Sequence, residues 1–218
     1  MSKHVLFDLD GTLLDTARDF TQVLNQLLQE YGRNEVSAAK VRETVSDGAR
    51  ALVKLGFNID ETDEDFNRYL QELLDLYAIK ITNTEAGLFK DIPELLNRIN
   101  AENYSWGIVT NKPSRFTEPL LTNFPAMKNS AVVICADQVS QGKPSPESLL
   151  LACKTLACKP EECIYVGDHK RDIDAGKNAG IKTIAVNWGY FSAHIQLEDW
   201  QPDLIVASPH EIAAYLFD

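Results

Sequence analysis

The sequence predicts an α/β protein with a doubly wound parallel-sheet core and an inserted helical cap domain, on three observations. The run Val5-Leu6-Phe7 is continuously apolar and leads into Asp8-Leu9-Asp10-Gly11-Thr12; no strand pattern appears between about residues 16 and 80; and after about residue 86 strand-like and helical patterns alternate. A strand that is apolar at every position is covered on both faces, as in parallel sheets, and alternating strands and helices signal βαβ units. A purely helical stretch within that alternation reads as an insertion. The chain therefore divides into a core of residues 1–15 and 86–218 and a cap of residues 16–85. Its 218 residues suffice for one domain carrying a smaller insertion.

Taken in order, Phe20, Val23, Leu24, Leu27, Leu28 and Tyr31 keep helical spacing from Thr16 to Tyr31, and Gly32 suits the helix end. Ser37 is placed to cap a short helix through Val45, and Gly48-Ala49-Arg50 opens another towards Leu55. Thr62-Asp63-Glu64-Asp65 reads as a capping box for the helix that carries Phe66, Tyr69, Leu70, Leu73, Leu74 and Tyr77. Beyond the polar stretch Thr82–Glu85, Pro93 marks a helix start with Leu95, Leu96 and Ile99 on one face. Strands follow at Trp106–Val109, Ala131–Cys135, Cys163–Val166, Thr183–Val186 and Leu204–Val206, with helical patterns between them.

Composition narrows the function classes. A formal charge of -11 disfavours nucleic acid and anionic membrane as partners, so an anionic substrate needs local positive charge. No stretch approaches the apolar length of a bilayer span, and no signal-peptide pattern is visible, which makes a cytoplasmic enzyme the expectation. Cys135, Cys153, Cys158 and Cys163 form no Cys-x-x-Cys pair and lie in or beside apolar runs; they read as reduced, mostly buried residues without a zinc signature.

The chemistry gathers at strand ends, where ligands of doubly wound sheets sit. Residues i and i+2 of an extended chain point to the same side, so Asp8 and Asp10 converge while Leu9 points elsewhere, and Gly11 lets the backbone turn. Two such carboxylates suit phosphoryl transfer, with Asp8 as nucleophile and Asp10 protonating the leaving oxygen and later activating water. Together with a phosphate dianion they require a hard divalent cation, for which magnesium is the natural candidate. The same Asp-x-Asp-Gly pattern also occurs in turns that merely cap a helix.

Thr110 and Asn111, after the Trp106–Val109 strand, offer a hydroxyl and an amide to phosphate oxygens, although such pairs are also common turn chemistry; Lys112 beside them reads equally as a surface lysine. Lys143, stiffened by Pro144, presents an ammonium that offsets charge on a nucleophile and a transferring phosphoryl group. Asp168 and Asp172, after Cys163–Val166, can both approach a cation, one directly and one through water or Lys143; the alternative for Asp172 is to cap the helix through Ile173–Asn178. His169, with no neighbouring histidine or cysteine, reads as solvated.

The ordered set Asp8-Leu9-Asp10-Gly11-Thr12, Thr110-Asn111, Lys143-Pro144 and Gly167-Asp168 through Asp172 resembles the four motifs of the haloacid dehalogenase superfamily phosphatases, over essentially the whole chain. The resemblance implies a Rossmann-like core with a small insertion cap, Asp8 as nucleophile and Asp10 as acid/base. It further implies Thr110 and Lys143 at the phosphate, and magnesium held by Asp8, the Asp10 carbonyl and Asp168, with Asp172 supporting the metal directly or at one remove.

Within the superfamily, Gly176, Ala179-Gly180 and Trp188-Gly189-Tyr190 are similar to the phosphoglycolate phosphatase group. Ser46–Arg50, Trp106–Pro113 with Arg115-Phe116, and Ile134-Cys135 are similar to phosphatases of N-acetylmuramic acid 6-phosphate. Both substrates are small phosphorylated metabolites that carry a carboxylate, and Arg50 in the Asp47–Arg50 loop is the candidate to read it. Asp10 argues against a halide-displacing enzyme, which needs no acid at that position. A sugar-phosphate mutase would keep both aspartates and is distinguished by releasing little phosphate.

Overall fold

The computed structural model describes residues 4–192 and 194–217. The first strand, β1 (His4–Phe7), is followed by a sharp turn and the short β2 (Leu14–Asp15). Four helices come next: α1 (Ala17–Glu30), α2 (Ala38–Thr44), α3 (Ala49–Phe57) and α4 (Phe66–Lys80). The short β3 (Gly87–Leu88), which pairs with β2, leads to α5 (Ile92–Ala101) and β4 (Ser105–Val109), then α6 (Ser114–Leu121) and β5 (Val132–Ile134). The rest alternates as α7 (Glu147–Thr155), β6 (Cys163–Gly167), α8 (Lys170–Ala179), β7 (Lys182–Val186), β8 (Leu204–Val206) and α9 (Pro209–Phe217).

Six strands form one sheet in the order β5-β4-β1-β6-β7-β8, and every pair in it is parallel. The chain builds outwards from β1 on one side with β4 and β5, then returns to the other side with β6, β7 and β8. The strand order thus reverses at β1, the kind of switch point where a crevice opens beyond the strands' carboxyl ends. Register fixes what reaches that crevice. Phe7 lies opposite Ile108 on β4 and Val166 on β6, so Asp8 emerges between Val109 and Gly167. Its backbone N–H still donates to the Val166 carbonyl at 2.9 Å, which holds the nucleophile candidate on the rigid end of a central strand.

Both faces of this sheet are covered, which is why its strands read as continuously apolar. Leu6, Val109, Ile134 and Tyr165 pack with Leu149, Ala152 and Ala175 from α7 and α8, while Phe7 meets Trp106 edge-on at 6.3 Å. The chain separates into two compact units, one of Met1–Leu14, Leu88–Gly189 and His194–Asp218, the other of Asp15–Gly87 with Tyr190–Ala193. Tyr190 is tied to the helical unit through its hydroxyl, which accepts from the Ala17 N–H at 3.1 Å and donates to Asp15 at 2.7 Å.

The helical unit has an aromatic core: Phe20 stacks on Tyr77 at 4.0 Å and Phe57 on Tyr69 at 3.8 Å. Ser37 caps α2 by accepting from the Lys40 N–H. The expected capping box at Thr62–Asp65 does not form. Asp63 instead accepts from the Asp65 N–H at 3.0 Å, a local turn that delays the helix start to Phe66.

Candidate active site

Lys143 is the hub of the strand-end crevice. Its residue is 5% exposed, and its ammonium reaches Asp8 Oδ1 at 2.7 Å, Asp172 Oδ1 at 2.7 Å, the Tyr165 hydroxyl at 2.7 Å and the Val109 carbonyl at 3.1 Å. Burial works against its charge, but Asp172 and Asp8 outweigh that penalty and hold the ammonium above its ordinary range. For Asp8 the balance runs the other way: burial, opposed by Lys143 and reinforced by Asp172, pushes the carboxyl up to about 6. Asn111 fixes the lysine from behind, its side chain donating to the Lys143 carbonyl and accepting from the Lys143 N–H, both at 2.9 Å. Both ends of the amide expected to hold phosphate are thus engaged with the Lys143 backbone.

Thr110 is buried, and its hydroxyl accepts from the Lys112 N–H at 3.1 Å, so the hydroxyl's own proton is the one it has to offer an oxyanion. Asp10 meets Lys112, whose ammonium donates to both carboxylate oxygens at 2.8 and 2.9 Å. Lys112 is buried, unlike the surface lysine its loop position suggested.

Asp172 serves two ends at once. Its Oδ2 accepts from the His169 N–H at 3.0 Å, closing a capping box at the start of α8, while Oδ1 faces Lys143. His169, read as solvated, is the other half of that box: its Nδ1 accepts from the Arg171 N–H at 3.2 Å. Tyr165, inside β6, is a further member the sequence did not single out. Its hydroxyl donates to the Val109 carbonyl at 2.9 Å, and burial keeps the phenol protonated. Arg50 belongs to the helical unit, where its guanidinium pairs with Glu61 and lies 5.0 Å over the Phe66 ring.

Asp8, Asp168 and Asp172 present carboxylate oxygens that all lie within 4.8 Å of one another, and all three residues are buried. The backbone around them is cut to fit. A Cβ on Gly11 would fall 2.2 Å from Asp168 Oδ2, one on Gly189 2.1 Å from Asp168 Cβ, and one on Gly167 2.4 Å from Asp172 Cβ. Thr12 donates to Asp168 Oδ1 at 3.2 Å, orienting it. Buried like charges at this density are costly without a cation, and an all-oxygen donor set fits a hard divalent ion such as magnesium.

Residues 5–186 match the family described as haloacid dehalogenase-like hydrolase. The N-acetylmuramic acid 6-phosphate phosphatase of Pseudomonas putida is 41% identical over 210 residues, covering 96% of this chain and 94% of that protein. A phosphoglycolate phosphatase of Xanthomonas campestris pv. campestris is 35% identical, with 96% and 94% covered. Among solved structures, a haloacid dehalogenase-like hydrolase of Streptococcus pneumoniae has a TM-score of 0.84 at 24% identity, covering 99% of this chain and 98% of that one, a likeness of fold.

Proposed function

The chain belongs to the haloacid dehalogenase-like hydrolases and is a phosphatase, and from that premise we propose that it hydrolyses N-acetylmuramic acid 6-phosphate through an aspartyl phosphate on Asp8. The observation that carries the mechanism is the Asp8–Lys143–Asp172 cluster at the end of β1. Lys143 fixes the plane of the Asp8 carboxylate through Oδ1, so the nucleophile is preorganised for attack on phosphorus. Thr110 and the Lys143 ammonium receive the developing charge on the phosphoryl oxygens. Asp10 gives a proton to the leaving oxygen and then takes one from the water that cleaves the aspartyl phosphate. Asp8, Asp168 and Asp172, with the Asp10 carbonyl, would hold magnesium, which supplies positive charge against the carboxylates and the phosphoryl group.

The substrate reading rests on the 41% identity to the N-acetylmuramic acid 6-phosphate phosphatase. Phosphoglycolate is the second reading, on the 35% relative. The helical unit is assigned the role of a cap that selects the organic half of the substrate, and Arg50 that of a carboxylate reader, for which it must leave Glu61. Four cysteines without a disulfide fit a reducing, cytoplasmic setting. The test is phosphate release from both compounds. A preference of about tenfold in kcat/KM, about 1.4 kcal/mol, names the substrate, and transfer of the phosphoryl group between sugar positions without net release would overturn the hydrolase reading.

Exhaustive chelation is expected to abolish turnover and added magnesium to restore it. Full activity in chelator, with the metal content measured as nil, would remove the cation from the mechanism.

Lys112 is assigned a positioning role, holding Asp10 at the angle proton transfer needs. Lys112→Met is expected to lower kcat about tenfold for a sugar phosphate, a fraction of the roughly 10²- to 10⁴-fold that general acid catalysis contributes. In the first turnover it should leave p-nitrophenol release from p-nitrophenyl phosphate almost untouched, since that leaving group departs without protonation and Asp10 is needed there only for the later hydrolysis of the aspartyl phosphate. Equal first-turnover losses on both substrates would mean that Lys112 acts on the phosphoryl group or on folding.

A further inference from the structure

A second constellation of ligand-type side chains lies at the opposite end of β6 from the catalytic carboxylates. Cys153 is on α7, Cys158 follows in the loop, and Cys163 is the first residue of β6. Their sulfurs are in mutual contact, at 3.6 Å for Cys153–Cys163 and 3.4 Å for Cys158–Cys163, and all three lie within 4.8 Å of one another. None is in a disulfide; Cys153 and Cys163 are buried and Cys158 is half-buried, so the cluster has one side towards solvent.

The backbone is shaped to bring them together. Ala157 takes φ +53°, a left-handed conformation that costs an alanine about 1 kcal/mol, and the Cys158 N–H returns to the Cys153 carbonyl at 3.0 Å. A single turn of 3₁₀ helix at Pro160–Glu162, closed by Glu162 accepting from the Lys159 N–H at 2.8 Å, then delivers Cys163 to the same point. Two four-residue spacers thus focus three thiols.

We propose that Cys153, Cys158 and Cys163 form a binding site for a soft, thiophilic d¹⁰ cation of the Zn²⁺ or Cu⁺ class. Thiolates select such ions over the hard cation that suits the carboxylates. With metal–sulfur bonds of about 2.3 Å, tetrahedral ligands stand about 3.8 Å apart, so the Cys153–Cys163 and Cys158–Cys163 pairs need open by only a few tenths of an ångström, and Cys153 and Cys158, within 4.8 Å of one another, need shift by no more than about 1 Å. A disulfide would use two sulfurs and strand the third against it, whereas one cation engages all three and keeps its fourth position on the exposed Cys158 side. β6 spans five residues, about 16 Å, between this cluster and Asp168, so the ion would tie α7 to β6 without entering the phosphoryl chemistry.

The test titrates the fully reduced, metal-free full-length chain with Cd²⁺, in excess Mg²⁺ to keep the carboxylates occupied, and reads the thiolate-to-cadmium charge-transfer absorbance. The absorbance is expected to rise to one equivalent and stop, Zn²⁺ should displace the cadmium, and Cys158→Ser should weaken binding at least tenfold and remove about a third of the absorbance. Cys163→Ser should act likewise. Cys135→Ser, outside the cluster, should change nothing, and Cys158→Ser should keep wild-type phosphatase turnover. No charge-transfer band at one equivalent would overturn the proposal, as would a full-sized band in both Cys158→Ser and Cys163→Ser.

Discussion

Asp8→Asn is expected to reduce turnover by about 10⁴-fold or more while leaving a folded protein, because an amide oxygen is not a nucleophile towards phosphorus. The variant should also be more stable than the wild type when metal is absent. Burial raises the Asp8 carboxyl to about 6 from an unfolded value of 3.8. A group whose pKa is raised on folding contributes stability below its unfolded pKa and loses that contribution as pH rises through the folded one. At neutral pH the ionised Asp8 therefore costs the wild type on the order of 3 kcal/mol. Asparagine has no charge to desolvate, and its carbonyl oxygen still accepts from Lys143. Thermal unfolding in chelator should show the variant several degrees above the wild type at pH 8, with the gap closing towards pH 4. A folded Asp8→Asn enzyme with wild-type turnover would end the covalent mechanism, and a Tm difference independent of pH would refute the account of the buried charge.

That trade, stability given up so that a carboxylate stands charged in a buried site, is legible in part from the order of residues along the chain. Val5–Phe7 and Cys163–Val166 are apolar throughout and run straight into acids, so their pairing and the location of Asp8 and Asp168 follow from periodicity and the strand-end rule. Direction is not legible in the same way. Lys112 and Asp10 follow β4 and β1, and only the pairing of those strands, with Phe7 opposite Ile108, puts the ammonium against the carboxylate. Tyr165 looks like one more apolar residue of its strand because the partner of its hydroxyl, Val109, is 56 residues away in sequence. Asp172 offers two readings, cap and site, which the fold combines because its two oxygens face different ways. The cysteines, taken one spacing at a time, make no metal motif, and a left-handed alanine between two of them leaves no mark in composition.

Lys143→Met should be the single change most damaging to stability, and it should impair the chemistry as well. The ammonium, with its side chain 1% exposed, stands between Asp8 and Asp172. Methionine fills much the same volume but leaves two carboxylates desolvated and uncompensated, and breaking a buried pair from one side costs about 3–5 kcal/mol. The metal-free variant should accordingly unfold roughly 10 °C below the wild type at pH 7. Asp172 and Asp8 raise the Lys143 pKa above 10.5, so its stabilisation is fully present at every pH below that value and is lost only as pH rises through the folded pKa. The deficit of the variant should therefore still be present at pH 9. It should be largest there and shrink as pH falls towards about 6, because without Lys143, which lowers its pKa in the wild type, Asp8 takes up its proton at a higher pH. Magnesium is expected to recover part of the lost stability, because it brings positive charge to the same carboxylates. Turnover should not recover with it, since the positive charge proposed to face the phosphoryl group is gone, a loss of about 10²- to 10³-fold. Arginine is no substitute: a planar fork does not fit a slot bounded by Asp8, Asp172, Tyr165 and the Val109 carbonyl. If Lys143→Met matched the wild type in Tm while losing only turnover, the ammonium would have no part in offsetting the buried carboxylates, and if magnesium restored both, its part in catalysis would be confined to holding the site together.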